Sequence, residues 1–214
     1  MARPLGEANT RLEPFSASAR PVKRKILHSF REGADGSNPC SGLTEVDGTL
    51  YGTTSGGGTG CPSNRSCGTV YRISTSGEET VLHSFAGGTD GYYAFAPLVN
   101  MKGTLYGTTV NGGAACTSSS DGCGTVFSIS TTGKETVLHR FNDDDGSSPF
   151  AGLTDANGTL YGAASFGGAT GRGLIYSMSA TGVETVLHTF RHNSTGSMPA
   201  APPIDVKGTL YGTT

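Results

Sequence analysis

The sequence contains no tryptophan, little charge and no excess of charge of either sign. Lysine and arginine number 15 against 17 aspartates and glutamates, which gives a formal net charge of −2. Nucleic-acid binders carry concentrated positive charge that contacts the phosphates, so we expect no nucleic-acid partner. Charged residues make up 15% of the chain, and this low share argues against a highly charged, disordered segment.

Long apolar runs are also missing from the sequence. No run approaches the ~18 residues that a membrane-spanning helix needs, so no transmembrane segment is predicted. Residues 1–20 contain no apolar core of the kind found in signal peptides. Apolar residues nowhere keep the spacing of an amphipathic helix. The 34 glycines, together with Thr, Ser and Asn, instead separate short apolar stretches, which indicates a turn-rich all-β protein.

Two short phrases recur along the chain, each of them four times. Gly-Thr-Leu-Tyr-Gly begins at residues 48, 103, 158 and 208, and Leu-His-x-Phe begins at residues 27, 82, 138 and 187. The spacing of the first phrase is therefore 55, 55 and 50 residues. A period near fifty residues indicates an array of one supersecondary unit, and the fold follows from that unit.

Each unit contains four segments with the composition of β-strands. In the first complete unit they are predicted at residues 42–46, 49–54, 69–74 and 80–85. Asp47-Gly48 is typical of a tight hairpin turn between the first two strands. Four antiparallel strands at this period predict β-propeller blades, and the Tyr of each Gly-Thr-Leu-Tyr-Gly phrase is expected to pack between blades. The complete blades are predicted at about residues 42–85, 97–141 and 152–190.

A fourth blade is predicted to be split between the two ends of the chain. Residues 15–19 align with 176–180, and residues 26–30 align with 186–190, so residues 12–30 are expected to supply the third and fourth strands. Residues 203–214 are expected to supply the first two strands of the same blade.

The expected architecture is therefore an all-β propeller of about four blades, forming a single domain over residues 12–214. Residues 1–11 are expected to be a disordered or incomplete segment. The alternative that the sequence leaves open is a fragment of a larger propeller.

Four of the five cysteines fall as pairs in equivalent loops, and the equivalent loop of the third unit has none. Thiols that appear and vanish as pairs predict two disulfides, each contributing about 2 kcal/mol to stability. A zinc site is the rival interpretation, but each loop offers two thiols and no nearby His, short of four ligands. The predicted pairs are Cys61–Cys67 and Cys116–Cys123.

The remaining thiol, Cys40, aligns with Phe95, Phe150 and Ala200 and is predicted to be buried as a small hydrophobe. Disulfides imply an oxidising compartment, so the predicted location is extracellular or at the cell surface. Because no signal peptide is visible, either the true start of the protein lies upstream or the thiols stay reduced, and an upstream start with export is the favoured expectation.

The connections within a unit are of two kinds. The turns after strands one and three are short and nearly invariant, whereas the strand two-to-three loops and the inter-blade loops vary. The variable loops share one rim of a propeller, and function on repeat scaffolds usually lies on such a face. Candidate ligand-binding residues on this rim are Asp35, Asp90, Tyr92, Tyr93, Asp143, Asp145, Arg65 and Arg172.

No residue is predicted to be catalytic, because the nucleophile-elbow, paired-His zinc and Walker-type motifs are absent. The histidines of the Leu-His-x-Phe phrases lie on separate blades and cannot converge on one ion. Packing or hydrogen bonding within each blade is therefore expected, and no metal site is predicted from them. Calcium is left open at Asp143, Asp144 and Asp145, because it prefers several oxygen ligands.

The order of motifs within a unit resembles a known family. Leu-His-Ser-Phe, an Asp-Gly loop, Pro-x-x-Gly-Leu, Gly-Thr-Leu-Tyr-Gly-Thr-Thr, Gly-Gly and Gly-Thr-Val follow one another as in the GloVer tandem repeat of secreted bacterial choice-of-anchor proteins. The resemblance covers about residues 15–214, with Ala163-Ala164 in place of Thr-Thr and Gly173-Leu-Ile in place of Gly-Thr-Val. It implies an extracellular propeller-like repeat protein and supplies no catalytic residues.

We therefore expect a binding or adhesion module that takes a carbohydrate or another cell-surface glycan through its variable rim. Two other functions are left open. One is a polysaccharide hydrolase or lyase that uses loop Asp or Tyr residues, and the other is a structural surface repeat without a specific ligand.

Overall fold

The computed structural model describes residues 25–61, 66–117, 119–191 and 196–214 of the chain. In these ranges fourteen strands form four antiparallel sheets, and the helices are two 3-10 turns of three residues each, Gly33–Asp35 and Gly88–Asp90. None of the helices described there is long and apolar enough to cross a membrane.

Three of the sheets have four strands in chain order, and each is a blade. Blade 1 consists of β1 (Thr44–Val46), β2 (Thr49–Thr54), β3 (Thr69–Ile73) and β4 (Glu79–Ser84). Blade 2 consists of β5 (Val99–Met101), β6 (Thr104–Thr109), β7 (Thr125–Ser130) and β8 (Glu135–Arg140). Blade 3 consists of β9 (Leu153–Ala156), β10 (Thr159–Ala164), β11 (Leu174–Met178) and β12 (Glu184–Thr189). The fourth sheet pairs β13 (Ile204–Val206) with β14 (Thr209–Tyr211). The prediction of an all-β protein built from four-stranded antiparallel blades is confirmed.

The tight turn between the first and second strands sets the register of each sheet. In blade 1 both central residues have positive φ, 49° at Asp47 and 78° at Gly48, and Val46 pairs with Thr49 across the turn. Two positive φ values give the hairpin turn whose twist matches that of the flanking strands. The predicted turn chemistry therefore fixes which side chains of β1 and β2 face the neighbouring blade.

The blades lie side by side around a common hub. β1 contacts β5 and β5 contacts β9, so the first strands of neighbouring blades are the innermost ones. Thr44 of β1 also donates a hydrogen bond to the carbonyl of Leu98, immediately before β5. Buried side chains group into one cluster drawn mainly from blades 1 and 2 and another drawn from blades 2 and 3. The hydrophobic core is thus located between blades, and each blade needs its neighbours to bury its faces.

The tyrosines of the Gly-Thr-Leu-Tyr-Gly phrase follow this arrangement in the complete blades. Tyr51 and Tyr106 are buried in the two clusters, and Tyr161 is half-buried. Tyr211 is exposed, so the prediction that all four pack between blades is wrong for this copy. The physical reason is that no described strand lies on the outer side of β14.

Each blade docks on the preceding one through the turn between its third and fourth strands. A Cβ added to Gly133 would stand 2.9 Å from the carbonyl oxygen of Leu82, and one added to Gly182 would stand 2.5 Å from that of Leu138. Both glycines also have positive φ. A glycine is therefore required where the turn lies against the backbone of the preceding Leu-His-x-Phe phrase.

The phenylalanine of that phrase completes the docking contact. Its ring meets a ring on the third strand of the next blade, and the contact is edge-to-face, the geometry that aromatic quadrupoles favour. The centroids are 5.2 Å apart in Phe85–Phe127 and in Phe141–Tyr176, and 4.9 Å apart in Phe30–Tyr71. The recurrence of Leu-His-x-Phe is thus explained by one blade junction repeated along the chain.

Residues 26–30, predicted as the fourth strand of the split blade, lie beside blade 1. The carbonyl of Leu27 faces Gly77, as Leu82 faces Gly133 at the next junction. No strand is assigned to residues 26–30. A strand is defined by its pairing with a neighbour. The predicted partner of residues 26–30 is residues 15–19, which lie outside the described residues.

The described sheets do not form a closed ring, so the split blade stays a prediction. The last glycine of each Gly-Thr-Leu-Tyr-Gly phrase shows the difference. In blade 2 the Phe127 ring covers Gly107, so that an added Cβ would stand 2.5 Å from the ring. At the equivalent Gly212 of the fourth sheet, an added Cβ would meet nothing closer than 3.9 Å. A cavity of about 370 Å³ adjoins Gly212 and Phe190 instead. Phe15, which the alignment places at the position of Phe127, lies outside the described residues.

Both predicted disulfides are formed. Cys61 and Cys67 have Cα atoms 5.7 Å apart, and Cys116 and Cys123 have Cα atoms 5.5 Å apart. Cys40 is a free and exposed thiol, so the prediction that it is buried is wrong. Cys40 lies on the hub side of the rim that carries the variable loops, here called the loop rim. The equivalent residues Phe95 and Phe150 are exposed there as well.

Gly182→Ala should destabilise the protein more than Gly158→Ala in the same blade. The two glycines have similar φ values, 87° and 84°, so an alanine carries about 1 kcal/mol of backbone strain at either position. Only Gly182 faces the backbone of the preceding blade, while Gly158 has nothing within 4 Å of an added Cβ. The extra loss at Gly182 is expected to be about 1 to 3 kcal/mol, measured by urea unfolding. Equal losses at the two sites would contradict the docking contact.

Replacing Cys116 and Cys123 together by serine should lower the free energy of unfolding by about 2 kcal/mol, because the loop regains its freedom in the unfolded chain. Thermal unfolding with and without a reductant provides the measurement. The matched control is Cys40→Ser, which removes a free exposed thiol and should leave stability and the response to reductant unchanged.

Candidate ligand-binding rim

The two kinds of variable loop lie together on one rim of the molecule. Isolated bridges join the inter-blade loop to the start of the strand two-to-three loop in each complete blade: Ser37 with Gly56, Tyr92 with Asn111 and Ser147 with Phe166. The N–H of Gly113 also donates to the carbonyl of Gly88 at 2.8 Å. These contacts hold the described parts of the two kinds of loop together in each complete blade, although the loop sequences differ from blade to blade.

An exposed aromatic cluster lies on the hub side of the loop rim. Tyr93, Phe95 and Phe150, here called the aromatic patch, are 38%, 37% and 38% exposed. Tyr93 stacks on Phe95 with centroids 5.9 Å apart, and Phe95 meets Phe150 edge-to-face at 6.1 Å. Phe95 and Phe150 are equivalent residues of neighbouring blades, and such a short separation requires a position close to the hub. A contiguous exposed apolar surface of this kind is typical of an interaction site.

The two tyrosines singled out in the sequence have different environments. Tyr92 is half-buried and packs against the core cluster between blades 1 and 2. Tyr93 is exposed and has a φ of 68°, which is unusual for an aromatic residue. Its N–H donates to the carbonyl of Cys67 at 2.9 Å, and its carbonyl accepts from the N–H of Val110 at 3.1 Å. The backbone therefore holds the Tyr93 ring out toward solvent.

Two clefts flank the loop closed by the Cys116–Cys123 disulfide. The first, about 340 Å³, is lined by Tyr92, Gly113, Ala115 and Asp121 among others. The second, about 470 Å³, is lined by Thr117, Asp143, Ser147, Ser148 and Phe166. Phe166 is 42% exposed and gives the second cleft an apolar wall beside several hydroxyl groups.

Phe95, Phe150 and Phe166 were not predicted as site residues. A signal for them exists in the sequence, because the copies place Cys40 and Ala200 where Phe95 and Phe150 stand. An aromatic residue at a position that tolerates a small one is not needed for packing in every blade. Comparison between copies therefore marks these rings as features of individual blades.

Asp143 is one predicted residue that the structure places at a cleft. Its carboxylate accepts hydrogen bonds from the N–H of Thr117 at 2.5 Å and from the Thr117 hydroxyl, so it ties the disulfide loop to the inter-blade loop. Its Oδ1 also lies 3.5 Å from the Cys116 sulfur. Because that sulfur is in a disulfide, it has no proton to donate and no thiolate to bind a metal.

The aspartates of the Asp-Gly turns lie at the blade junctions and not beside the clefts. Nε2 of His28 is 3.0 Å from Asp35, and Nε2 of His83 is 3.2 Å from Asp90. Asp145 lies at ion-pair distance from His139, 3.3 Å. The backbone N–H groups of Arg31, Ala86 and Asn142 also donate to these aspartates, at 2.9, 2.7 and 2.8 Å.

His28, His83 and His139 thus pair with aspartates of inter-blade loops, so hydrogen bonding is not confined within each blade. The expected packing within each blade is confirmed, because each histidine ring meets the phenylalanine of its own phrase edge-to-face. Burial by itself raises the pKa of Asp90, but hydrogen bonds from His83 and from the N–H of Ala86 outweigh it and lower the pKa overall. Ligand-binding roles for Asp35, Asp90, Asp143 and Asp145 stay predictions, and so does calcium at Asp143, Asp144 and Asp145.

The two predicted arginines differ in what the structure describes. Arg172 is half-buried in the strand two-to-three loop of blade 3, and its carbonyl accepts from the N–H of Met198 at 3.0 Å. Arg65 lies outside the described residues.

A glutamate of the next blade approaches each His–Asp pair, and no sequence motif had indicated it. Glu79, Glu135 and Glu184 each begin a fourth strand, and Oε1 of each is buried without a hydrogen-bond partner among the described residues. Burial raises the pKa of Glu135 to about 7, against the opposing effect of the nearby His83. The junctions therefore contain carboxylates that are costly to keep charged.

Stability should fall as the pH rises above the ordinary glutamate pKa, and Glu184→Gln should weaken this dependence. Burial raises the pKa of Glu184 above 4.5, more than His139 lowers it. The Glu184 carboxyl therefore binds its proton more tightly in the folded chain than in the unfolded chain. This contribution to the free energy of unfolding is complete below the pKa of the unfolded state, and it is lost as the pH rises through the pKa of the folded state. Urea unfolding from pH 4 to 8 in EDTA measures the slope. The exposed Glu78→Gln serves as control, and an unchanged slope in Glu184→Gln would contradict the assignment.

Comparison with known proteins agrees with the repeat architecture. None of the curated proteins matches this chain. The family model described as the Gloeobacter/Verrucomicrobia repeat matches residues 14–214, which include all three complete blades and the β13–β14 sheet. The resemblance to the GloVer repeat is thereby confirmed, and the chain belongs to the Gloeobacter/Verrucomicrobia repeat family.

Proposed function

We propose that this chain is an extracellular binding module that holds carbohydrate on the aromatic patch and in the adjoining cleft of the loop rim. The observation that carries the proposal is the exposed cluster of Tyr93, Phe95 and Phe150 near the hub. Three rings connected through Phe95 form an apolar surface that water solvates poorly, and a ligand with a flat apolar face can cover it.

The backbone at Tyr93 supports a role in binding. The equivalent residues Asn38, Ser148 and Met198 share its positive φ, so the fold imposes this conformation in every copy. Asn tolerates the left-handed region and Tyr does not favour it. A large ring at a position that disfavours it, and that exposes it, is more readily explained by a ligand than by packing.

The neighbouring cleft supports carbohydrate over other ligands. Its wall combines the Phe166 ring with the hydroxyl groups of Thr117, Ser147 and Ser148. Apolar surface with a few polar groups is the usual composition of a small-ligand site, and sugars present both C–H faces and hydroxyls. The formal net charge of −2 gives the chain no overall attraction for a polyanion.

An extracellular location is supported by the two disulfides. Bonds of this kind persist in oxidising compartments and are rare in the cytosol. The Cys116–Cys123 bond also restricts the loop that borders the proposed cleft. A fixed loop loses less conformational freedom when a ligand binds.

The hydrolase or lyase alternative is favoured by no specific observation on the rim. Asp35 and Asp90 already accept hydrogen bonds from histidines, and Asp143 accepts them from Thr117. The alternative of a purely structural repeat leaves the exposed rings of the aromatic patch without a reason. The same experiment separates all three functions.

Screening on a glycan array, followed by calorimetric titration of the best oligosaccharide, should detect binding that depends on the aromatic patch. Tyr93→Ala and Phe150→Ala should each weaken it about tenfold, corresponding to about 1.4 kcal/mol. The matched control is Val183→Ala, which removes a side chain 66% exposed in a strand three-to-four turn, away from the loop rim.

Three other results would contradict this proposal in different ways. Binding that survives both ring substitutions would place the site elsewhere. Release of reducing ends or unsaturated products from a polysaccharide would favour the enzyme. Absence of binding to every glycan tested, with the fold intact by circular dichroism, would favour the structural repeat.

A further inference from the structure

The geometry points to two binding sites for a divalent transition metal such as Zn²⁺, each at a junction between neighbouring parts of the propeller. The first consists of His28, Asp35 and Glu79, and the second of His83, Asp90 and Glu135. Neither site depends on the carbohydrate function proposed above.

The donor atoms of each group are already gathered. One ligand atom from each of the three residues lies within 4.8 Å of the other two, in both groups. Nε2 of the histidine is 3.0 Å from the aspartate oxygen in the first group and 3.2 Å in the second. Two ligands held at tetrahedral angles by one zinc ion are about 3.3 Å apart, so these pairs need little movement to share an ion.

The third ligand of each group has an unmet requirement that a cation would satisfy. Oε1 of Glu79 and Oε1 of Glu135 are buried and have no hydrogen-bond partner among the described residues. A buried carboxylate oxygen without a partner is costly, and buried charges are normally paired or bound to a metal. Each group places two carboxylates beside one imidazole, so a neutral histidine leaves both carboxylate charges without compensation from within the group.

The kind of ligand selects the class of metal. One imidazole nitrogen and two carboxylate oxygens suit zinc and other first-row transition ions, whereas calcium takes six to eight oxygens. The His side chains are about a fifth exposed, 23% at His28 and 21% at His83, so an ion has access from solvent. Solvent also supplies the remaining coordination positions.

The histidine and aspartate of each site come from one side of the junction, and the glutamate comes from the blade that docks there. In the second site His83 ends blade 1, Asp90 follows in the inter-blade loop and Glu135 begins the outer strand of blade 2. A metal would therefore join the two elements that meet at the Leu-His-x-Phe phrase. It would stabilise the folded state, because it binds the folded chain and not the unfolded one.

The two sites should differ in affinity. Arg140 lies close enough to act electrostatically on Asp90 and Glu135, and its Nε donates to the carbonyl of Thr89 at 2.9 Å. A guanidinium beside the second site opposes a second cation. Among the described residues, the neighbours that act electrostatically on Glu79 are Asp35 and His28, so the first site should bind more tightly.

The third junction provides a matched control within the same chain. His139, Asp145 and Glu184 occupy equivalent positions, and His139 is 3.3 Å from Asp145. Their donor atoms are not gathered within 4.8 Å, in contrast to the first two groups. The expected stoichiometry is therefore two ions per chain and not three.

The test is calorimetric titration of ZnCl₂ into the full chain after EDTA treatment and dialysis, in a Cys40→Ser background that removes the free thiol. We expect two ions per chain, one in His28→Gln, one in His83→Gln and two in His139→Gln. His83→Gln should retain the tighter site. Absorption of the Co²⁺-loaded protein reports on the coordination, and the thermal midpoint should rise with Zn²⁺ only where a site remains.

Circular dichroism establishes that each variant is folded, and Glu79→Gln and Glu135→Gln serve as second variants that keep the side-chain shape. A stoichiometry well below two in the parent chain would overturn the inference and leave the clusters as metal-free ion pairs. Undiminished binding by the double variant His28→Gln with His83→Gln would overturn it as well, and so would a loss in His139→Gln equal to that in His83→Gln.

Discussion

The rest of the structure depends on one contact, in which each blade docks on the outer strand of the blade before it. A turn glycine approaches a leucine carbonyl, an aromatic ring meets the phenylalanine two positions past the histidine, and the hydrophobic core fills the space between. Single four-stranded sheets with this much glycine bury little on their own, so stability comes from the interfaces. The close approach of turn and strand constrains the backbone. This explains why the Leu-His-x-Phe phrase and the turn that faces it vary so little among the copies.

Because that constraint is confined to one rim and to the strand faces, the opposite rim is free to vary. Insertion of the disulfide loops in blades 1 and 2, and the shorter loop in blade 3, leave the junctions unchanged. The exposed rings of Tyr93, Phe95 and Phe150 occur on this freer rim. Under the proposed function, architecture and recognition lie on separate surfaces, as is common in repeat proteins.

The sequence was sufficient for the blades, their hairpins and both disulfides, because each follows from local chemistry repeated at one period. Asp47-Gly48 specifies a turn by itself, and paired cysteines six or seven residues apart need no long-range information. The period also identifies equivalent residues, but it does not give the angle between blades. That angle decides that Glu135 reaches His83 and that Cys40 and Phe95 face solvent, and these features were missed. Tyr92 and Tyr93 show the same limit on a shorter scale, since adjacent residues in an irregular loop have opposite environments.

The uniformity of the junctions has a consequence for how such chains change over evolutionary time. Residues 26–30 and the outer strands of blades 1 and 2 present the same docking contact, and blades 1, 2 and 3 present the same complementary turn. Recombination between two copies of the coding segment therefore removes or duplicates one whole unit and rejoins compatible surfaces on either side. The family can alter the number of its units in single genetic events, without first evolving a new interface.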